Sequence, residues 1–197
     1  MSNAVTKHGI TADTPKNIPF GAGAWFKNLV WDSQSKAWNG NCVGATSGGG
    51  KVSIEGEYID IELDGALVLV KGLTVKQGGK ASMEVNMAEL TGDTIKMTTN
   101  FEKAAESDVE GYDLYKDKAV LEDGDYLENF GFVGETLNSH KKIIVIFEAA
   151  LCKSAFEYET KGKENTILKA TLEAYAENDS NLETLPVKIY YPTDSAV

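Results

Sequence analysis

The chain has 197 residues, with thirty acidic residues set against nineteen lysines and no arginine, for a formal net charge of −11. Arginine's planar fork is the usual tool for bidentate phosphate and guanine contacts, and counterion release needs a basic stripe, so a protein that grips nucleic acid is excluded as the main reading. No apolar run approaches the length of a membrane span, and the N-terminus lacks the apolar centre of a signal peptide, so no membrane anchor and synthesis in the cytoplasm are expected.

A hydrophobic fraction of 42% and a charged fraction of 25% fit one globular domain over residues 1–197, and nineteen glycines favour turns and strands over a helical bundle. In chain order, residues 1–23 form a flexible N-terminal arm. Trp25, Trp31 and Trp38 follow, with Phe20 and Phe26 beside them. Residues 44–51 are a flexible glycine-rich connection. From 51 to 63 the pattern has period two: Val52, Ile54 and Gly56 are apolar or small, then Ile59, Ile61 and Leu63. The apolar parity changes near Gly56 and Glu57, which predicts a bulge or tight turn there. Short strands are expected at 66–70 and 73–76, a hairpin turn at Gln77-Gly78-Gly79-Lys80, and another strand at 81–86.

Residues 87–101 are the best helix candidate, with Thr91 as its cap and Asp93 in the first turn. Residues 100–140 carry eleven acids and three lysines, together with Tyr112, Tyr115, Tyr126, Phe130 and Phe132. They read as a long acidic loop or hairpin that docks on something. The β-branched run Ile143-Ile144-Val145-Ile146 predicts a central strand over 142–151, buried on both faces. The alternation over 165–178 favours a strand, and 187–191 offers it a partner.

The search for chemistry returns little. Residues 44–51 resemble a phosphate loop, but Val52 stands where Ser or Thr should hold magnesium, and a strand rather than a helix follows. His8 and His140 are the only histidines, and Cys42 and Cys152 are far apart, so neither a metal site nor a disulfide framework has supporting spacing. A pairing of Cys152 with His140 has nothing to recommend it. The sequence at 178–180, Asn178-Asp179-Ser180, matches a glycosylation sequon that is irrelevant without secretion. No catalytic, cofactor-binding or metal residue is therefore assigned. The three tryptophans are either core or a sugar-stacking platform, with core packing favoured. Asp60, Glu62 and Asp64 would lie about 7 Å apart along one strand face, either as a solvated exterior or as the lining of a wet channel.

Several strings, read in order, resemble the major tail (tail tube) proteins of long-tailed phages and prophages. They are Ile10-Thr11-Ala12-Asp13-Thr14-Pro15-Lys16-Asn17-Ile18-Pro19-Phe20-Gly21-Ala22-Gly23, Trp38-Asn39-Gly40, the glycine-rich 44–51 stretch, Asp64-Gly65-Ala66, Val70-Lys71-Gly72, Glu128-Asn129-Phe130-Gly131-Phe132-Val133-Gly134 and Ile189-Tyr190-Tyr191-Pro192. The resemblance covers nearly the whole chain and rests on the number and order of the strings. It implies a mainly β, α+β fold: a β-sandwich of two packed, mostly antiparallel sheets with one flanking helix. It also implies a virion protein, assembled in the bacterial cytoplasm, whose hexameric rings stack into a tube with other tail proteins at its ends and DNA passing through. No catalytic residue or cofactor comes with it. On that reading Glu55, Glu57, Asp60, Glu62 and Asp64 are the candidate lumen-facing residues, since an acidic wall would not trap a passing polyanion. The alternative is a carbohydrate-binding β-sandwich that uses the clustered aromatics.

Overall fold

The computed structural model describes residues 9–157, 162–163, 165–177 and 182–193. His8, the first eight residues of the arm and the sequon at 178–180 lie outside them. The fold is mainly β with a little helix, a large antiparallel sheet and a small second one. In chain order come α1 (Thr14–Asn17), β1 (Pro19–Asp32), β2 (Ala37–Cys42), β3 (Thr46–Asp60), β4 (Thr74–Met87), α2 (Gly92–Thr99), β5 (Glu102–Lys103), β6 (Tyr115–Lys116), a 3-10 turn (Asp123–Asp125), β7 (Leu127–Thr136), β8 (Lys142–Cys152), β9 (Leu168–Tyr175) and β10 (Val187–Tyr190).

The large sheet has the order β2-β1-β7-β8-β9-β4-β3, with β10 beside β8, and β5 and β6 make the small one. Sandwich-like packing arises because this one sheet folds across its own core. β1 and β3 are five strand spacings apart in the order, roughly 24 Å in a flat sheet. Yet a Cβ added to Gly50 on β3 would stand 2.4 Å from the Trp25 ring on β1. Between the two halves lie Trp25, Phe130, Phe147, Met83, Val85 and Leu172, all buried in one cluster. Burying side chains of this size stabilises the fold by about 1.5–3 kcal/mol each.

The central strand is as expected. β8 alternates Val145 and Phe147 toward that core with Ile144 and Ile146 toward a second cluster around Leu29, so both faces are covered. That second cluster is closed by the end of the β1–β2 hairpin. β1 carries an extra residue between Lys27 and Val30, with Asn28 at φ 54, and there the hairpin bends. Trp38 on β2 comes 4.8 Å from Tyr190 on β10, although four strand spacings, about 19 Å in a flat sheet, separate them in the order.

Several local expectations change. The 44–51 stretch is not a loose connection: from Thr46 onward it is β3, with two residues more than its partner between Thr46 and Gly50. Gly48 and Gly49 take up that excess at φ 76 and φ 77, a conformation that a side chain disfavours. The hairpin turn expected at Gln77–Lys80 does not exist, and the 66–70 strand is absent. Instead β3 and β4 form one long hairpin whose connection is 61–73, because Gly78, Gly79 and Lys80 pair with Glu57, Gly56 and Glu55.

The expected bulge occurs between Glu57 and Tyr58, but the additional residue is Gln77 on the partner strand. The helix is shorter than expected, since Met87 ends β4. Its cap is Thr91, whose Oγ1 accepts from the Thr94 amide at 3.2 Å while Thr94 Oγ1 accepts from the Thr91 amide at 2.7 Å. The acidic excursion ends at Tyr126: Leu127–Thr136 is β7, a strand between β1 and β8 with Phe130 fully buried. The arm likewise ends earlier, because Pro19 and Phe20 pair with Thr136 and Glu135. In both places glycines, Gly21 and Gly23 in the arm and Gly131 and Gly134 in β7, interrupt the pattern of a strand. β10 pairs with β8 rather than with β9.

Candidate functional site

The most unusual surface is the β3–β4 hairpin. β9 pairs with β4 only from Ser82 to Met87, so the ladder from Thr74 to Ala81 is made with β3 alone. A two-stranded ribbon is marginal on its own in water. At its end the 61–73 connection is held by backbone bonds from the Ile61 amide to the Leu73 carbonyl, from Ala66 to Leu63 and from Leu73 to Val70. Gly65 and Gly72 supply its left-handed corners at φ 88 and φ 96. The tip is apolar and open to solvent: Leu67 is 98% exposed and Val68 and Leu69 are 78% exposed, with Ile61, Leu63 and Val70 exposed beside them. Contiguous exposure of this kind marks an interaction surface.

The five candidate acids do not form one strand stripe. Glu55 and Glu57 share the face of β3 turned away from the core, in register with Lys80 and Gly78. Asp60 lies on the opposite face, where it accepts a hydrogen bond from the Thr74 hydroxyl. Glu62 and Asp64 are in the tip connection, past the end of β3. From Gly50 to Asp60 the alternation runs unbroken along β3. The apolar residues change face after Gly56 because the hairpin has left the core and burial no longer enforces the pattern.

Between Lys51 and Glu57 the outward face of β3 and its neighbours is polar, with Lys51, Ser53, Glu55 and Glu57 beside Lys80, Ser82 and Glu84, then Lys169, Thr171 and Glu173; past Glu57 it carries Ile59 opposite Val75. Its acids sit near lysines: Lys51 is 3.5 Å from Glu84, Lys80 is 3.9 Å from Glu57 and Lys153 is 2.7 Å from Glu173. The Glu173 carboxylate, and then the Tyr175 hydroxyl, hold the Lys153 ammonium well above its ordinary pKa. This face is hydrophilic and charge-mixed rather than uniformly acidic.

The excess acid lies elsewhere. Residues 101–126 hold nine acids and three lysines. They are tied down by the β5–β6 pair, by Lys103 to Asp113 at 2.8 Å and by Lys118 to the buried Asp125 at 2.6 Å. Asp125 Oδ2 also accepts from the Glu122 amide at 2.8 Å. Burial pushes the Asp125 carboxyl up, but the Lys118 ammonium and the Glu122 amide outweigh it and leave the group below the ordinary carboxylate range.

Of the three tryptophans Trp25 is fully buried in the main core, and Trp38 is partly buried against the second cluster. Trp31 is half exposed and meets Trp38 edge to face, and Trp38 in turn meets Tyr190 the same way, at interplanar angles of 61° and 62°. Edge-to-face rings present no shared flat platform for a sugar. Cys42 is exposed and Cys152 buried, both free. His140 precedes β8 and bonds Glu135 at 2.6 Å, whereas Cys152 ends β8, about 35 Å of strand away, so the two are not brought together. Among the described residues no cluster of three or more His, Cys, Asp or Glu is placed to hold a metal, and no helix is long and apolar enough to cross a membrane. The sequence reading missed the apolar tip. Its signal was the run Ala66-Leu67-Val68-Leu69-Val70 between two glycines, which also reads as a buried strand. No protein-family model matches the chain, and no curated protein matches it.

Proposed function

We propose that this chain is a structural, non-enzymatic subunit that assembles with itself into stacked rings, hexameric on the resemblance to phage tail tube proteins, forming a conduit for DNA. The observation that carries this reading is the hairpin tip. A marginal two-stranded ribbon ending in Leu67, Val68 and Leu69 in full contact with water costs free energy in a solitary molecule, and that cost is removed when a partner covers it.

Charge supports the conduit. A ring of six subunits at −11 each carries −66, more than half of it in residues 101–126 and not on the charge-mixed lining, so the assembly as a whole repels phosphate and its wall offers no chain of basic binding sites. The polar face of β3, β4 and β9 is the proposed lining, with Glu55, Glu57, Glu84 and Glu173 as its acids and without Asp60, which lies on the other face. Lysines spaced between the acids keep the wall wet while leaving no basic stripe to trap DNA. Other tail proteins at the ends of the tube and a place in the virion complete the proposal.

Negative-stain electron microscopy of the concentrated protein tests it directly. Rings or tubes are expected. A protein that stays solitary at every concentration, and in contact with tail proteins of the same phage, would refute the reading.

A further inference from the structure

The chain contains one Asn-Gly pair, Asn39-Gly40, and it lies in the outermost strand of the large sheet. β2 pairs with β1 alone, and Asn39, Gly40, Asn41 and Cys42 are all exposed. We propose that Asn39 is a site of spontaneous deamidation, gated by opening of the β1–β2 hairpin, and that the reaction releases the Trp38 end of the hairpin from β10. The reaction is intramolecular and needs no second copy.

Its parts are a carboxamide, the backbone nitrogen of the next residue and water. The Gly40 nitrogen gives up its proton and bonds Asn39 Cγ, the Cγ–Nδ2 bond breaks, and the amide nitrogen leaves with that proton as ammonia. A five-membered succinimide remains. Water then opens the ring at either carbonyl. Opening at Cγ gives aspartate at position 39, whereas opening at the backbone carbonyl gives isoaspartate, with the chain running through Cγ and one more methylene in the backbone. Nothing is oxidised or reduced.

Three features favour this asparagine. First, a side chain on the following residue would hinder the attack, and packing keeps Gly40 without one: a Cβ there would stand 3.2 Å from the Leu29 Cα and 3.2 Å from the Lys27 carbonyl oxygen. Second, its carboxamide is unrestrained. Asn86 Nδ2 donates to the Gly49 carbonyl at 3.1 Å and Asn100 Nδ2 to the Cys152 carbonyl at 3.0 Å, whereas the Asn39 side chain bonds none of the described residues.

Third, the strand that holds it is weakly held. Extended backbone turns the Gly40 nitrogen out of the plane that the ring requires, so β2 must unpair before the attack. Asn39 pairs with Val30 and Asn41 with Lys27, which leaves Asn28 and Leu29 of the bulge facing the single Gly40. What fastens this six-residue strand beyond its one ladder is Trp38, 5.5 Å from Trp31 and 4.8 Å from Tyr190. Such margins open far more often than the whole chain unfolds. An added methylene then puts β2 out of register beside Trp38, and no second neighbour restores it.

The test follows the full chain at mildly alkaline pH, folded and in urea, by peptide mass spectrometry and by enzymatic methylation of isoaspartate. In the folded chain Asn39 should be converted about tenfold to a hundredfold more slowly than in urea, while Asn86 and Asn100 stay intact. Trp38→Ala should speed the folded reaction about tenfold by raising the open fraction of the hairpin, and Asn39→Gln should abolish the product. Near-ultraviolet dichroism should fall in step with isoaspartate. Asn39 left intact in the folded chain while the urea sample is converted would overturn the site. A rate unchanged in Trp38→Ala, or in Tyr190→Ala should Trp38→Ala lose the far-ultraviolet dichroism of the parent, would overturn the gate. An unchanged near-ultraviolet signal in converted chain would overturn the release.

Discussion

The Trp25 indole packs directly on the backbone of Gly50, so that a β-carbon at Gly50 would lie 2.4 Å from the ring and 2.5 Å from the Glu84 carbonyl oxygen. This contact joins the second and seventh strands in the order of the folded sheet, β1 and β3, and explains why position 50 is glycine. Gly50→Ala must move either a fully buried ring or a paired strand. The expected cost is about 1–3 kcal/mol, the range for overpacking a close-packed interior. Urea unfolding would register it as a lower midpoint at unchanged slope, and a shift smaller than about 0.5 kcal/mol would remove the contact from the account.

The helix depends on Thr91. Replacing it with Ala removes the acceptor for the Thr94 amide and half of a reciprocal pair, and should destabilise the chain by about 1 kcal/mol. Thr91→Ser keeps the oxygen and should be close to neutral. Thermal melts of the two variants side by side distinguish a capping role from simple loss of side-chain volume.

The Lys118–Asp125 pair predicts a pH dependence. Asp125 sits below its ordinary pKa in the folded chain, so its contribution is complete above the unfolded value of about 3.9 and is lost as pH falls through the folded one. Asp125→Asn should therefore cost about 2 kcal/mol at neutral pH, with the gap to the parent closing in strong acid. Denaturant titrations at neutral pH and near pH 2 would show this. An equal gap at both would mean that the effect comes from packing and not from charge.

Hydrogen exchange on unassembled protein should place Leu127–Thr136 with Ile143 to Phe147 in the slow class, although both the acid count and the glycines of this segment favour a loop. The 61–73 tip should exchange fast in the monomer and slowly in polymers. Fast exchange across β7 would contradict its position between β1 and β8.

For the lining, Glu55→Lys together with Glu57→Lys converts two of the four acids on the outward face of β3, β4 and β9 to bases. Rings should form as before, because neither side chain faces the core, and DNA ejection should slow. Normal ejection from such particles would move the lining to another face.

Some of this was legible because it is local. The run Ile143 to Phe147 could only be a strand covered on both sides, since each residue in turn is apolar and β-branched or aromatic. Thr91 announced its cap as a hydroxyl residue just ahead of Asp93, an acid in the first turn; the reciprocal bond from Thr94 did not. The mainly β class followed from short alternating segments separated by glycine.

Other features depend on partners distant in the chain. Gln77-Gly78-Gly79-Lys80 has the composition of a turn, yet Glu55, Gly56 and Glu57 hold it extended across the ladder. Ala66 to Val70 has the composition of a buried strand, yet no strand pairs with it. Phe130 looked like part of an acidic loop until β1 and β8 enclosed it. The acids of β3 looked like one stripe, but a pattern in sequence fixes a face only where burial on one side enforces it, and past Gly56 nothing does. The sequence by itself determined charge, class and the strongest local elements. Which glycines turn, which acids share a face and which apolar residues stay in water were decided by tertiary pairing, because those choices are set by neighbours that no local window contains.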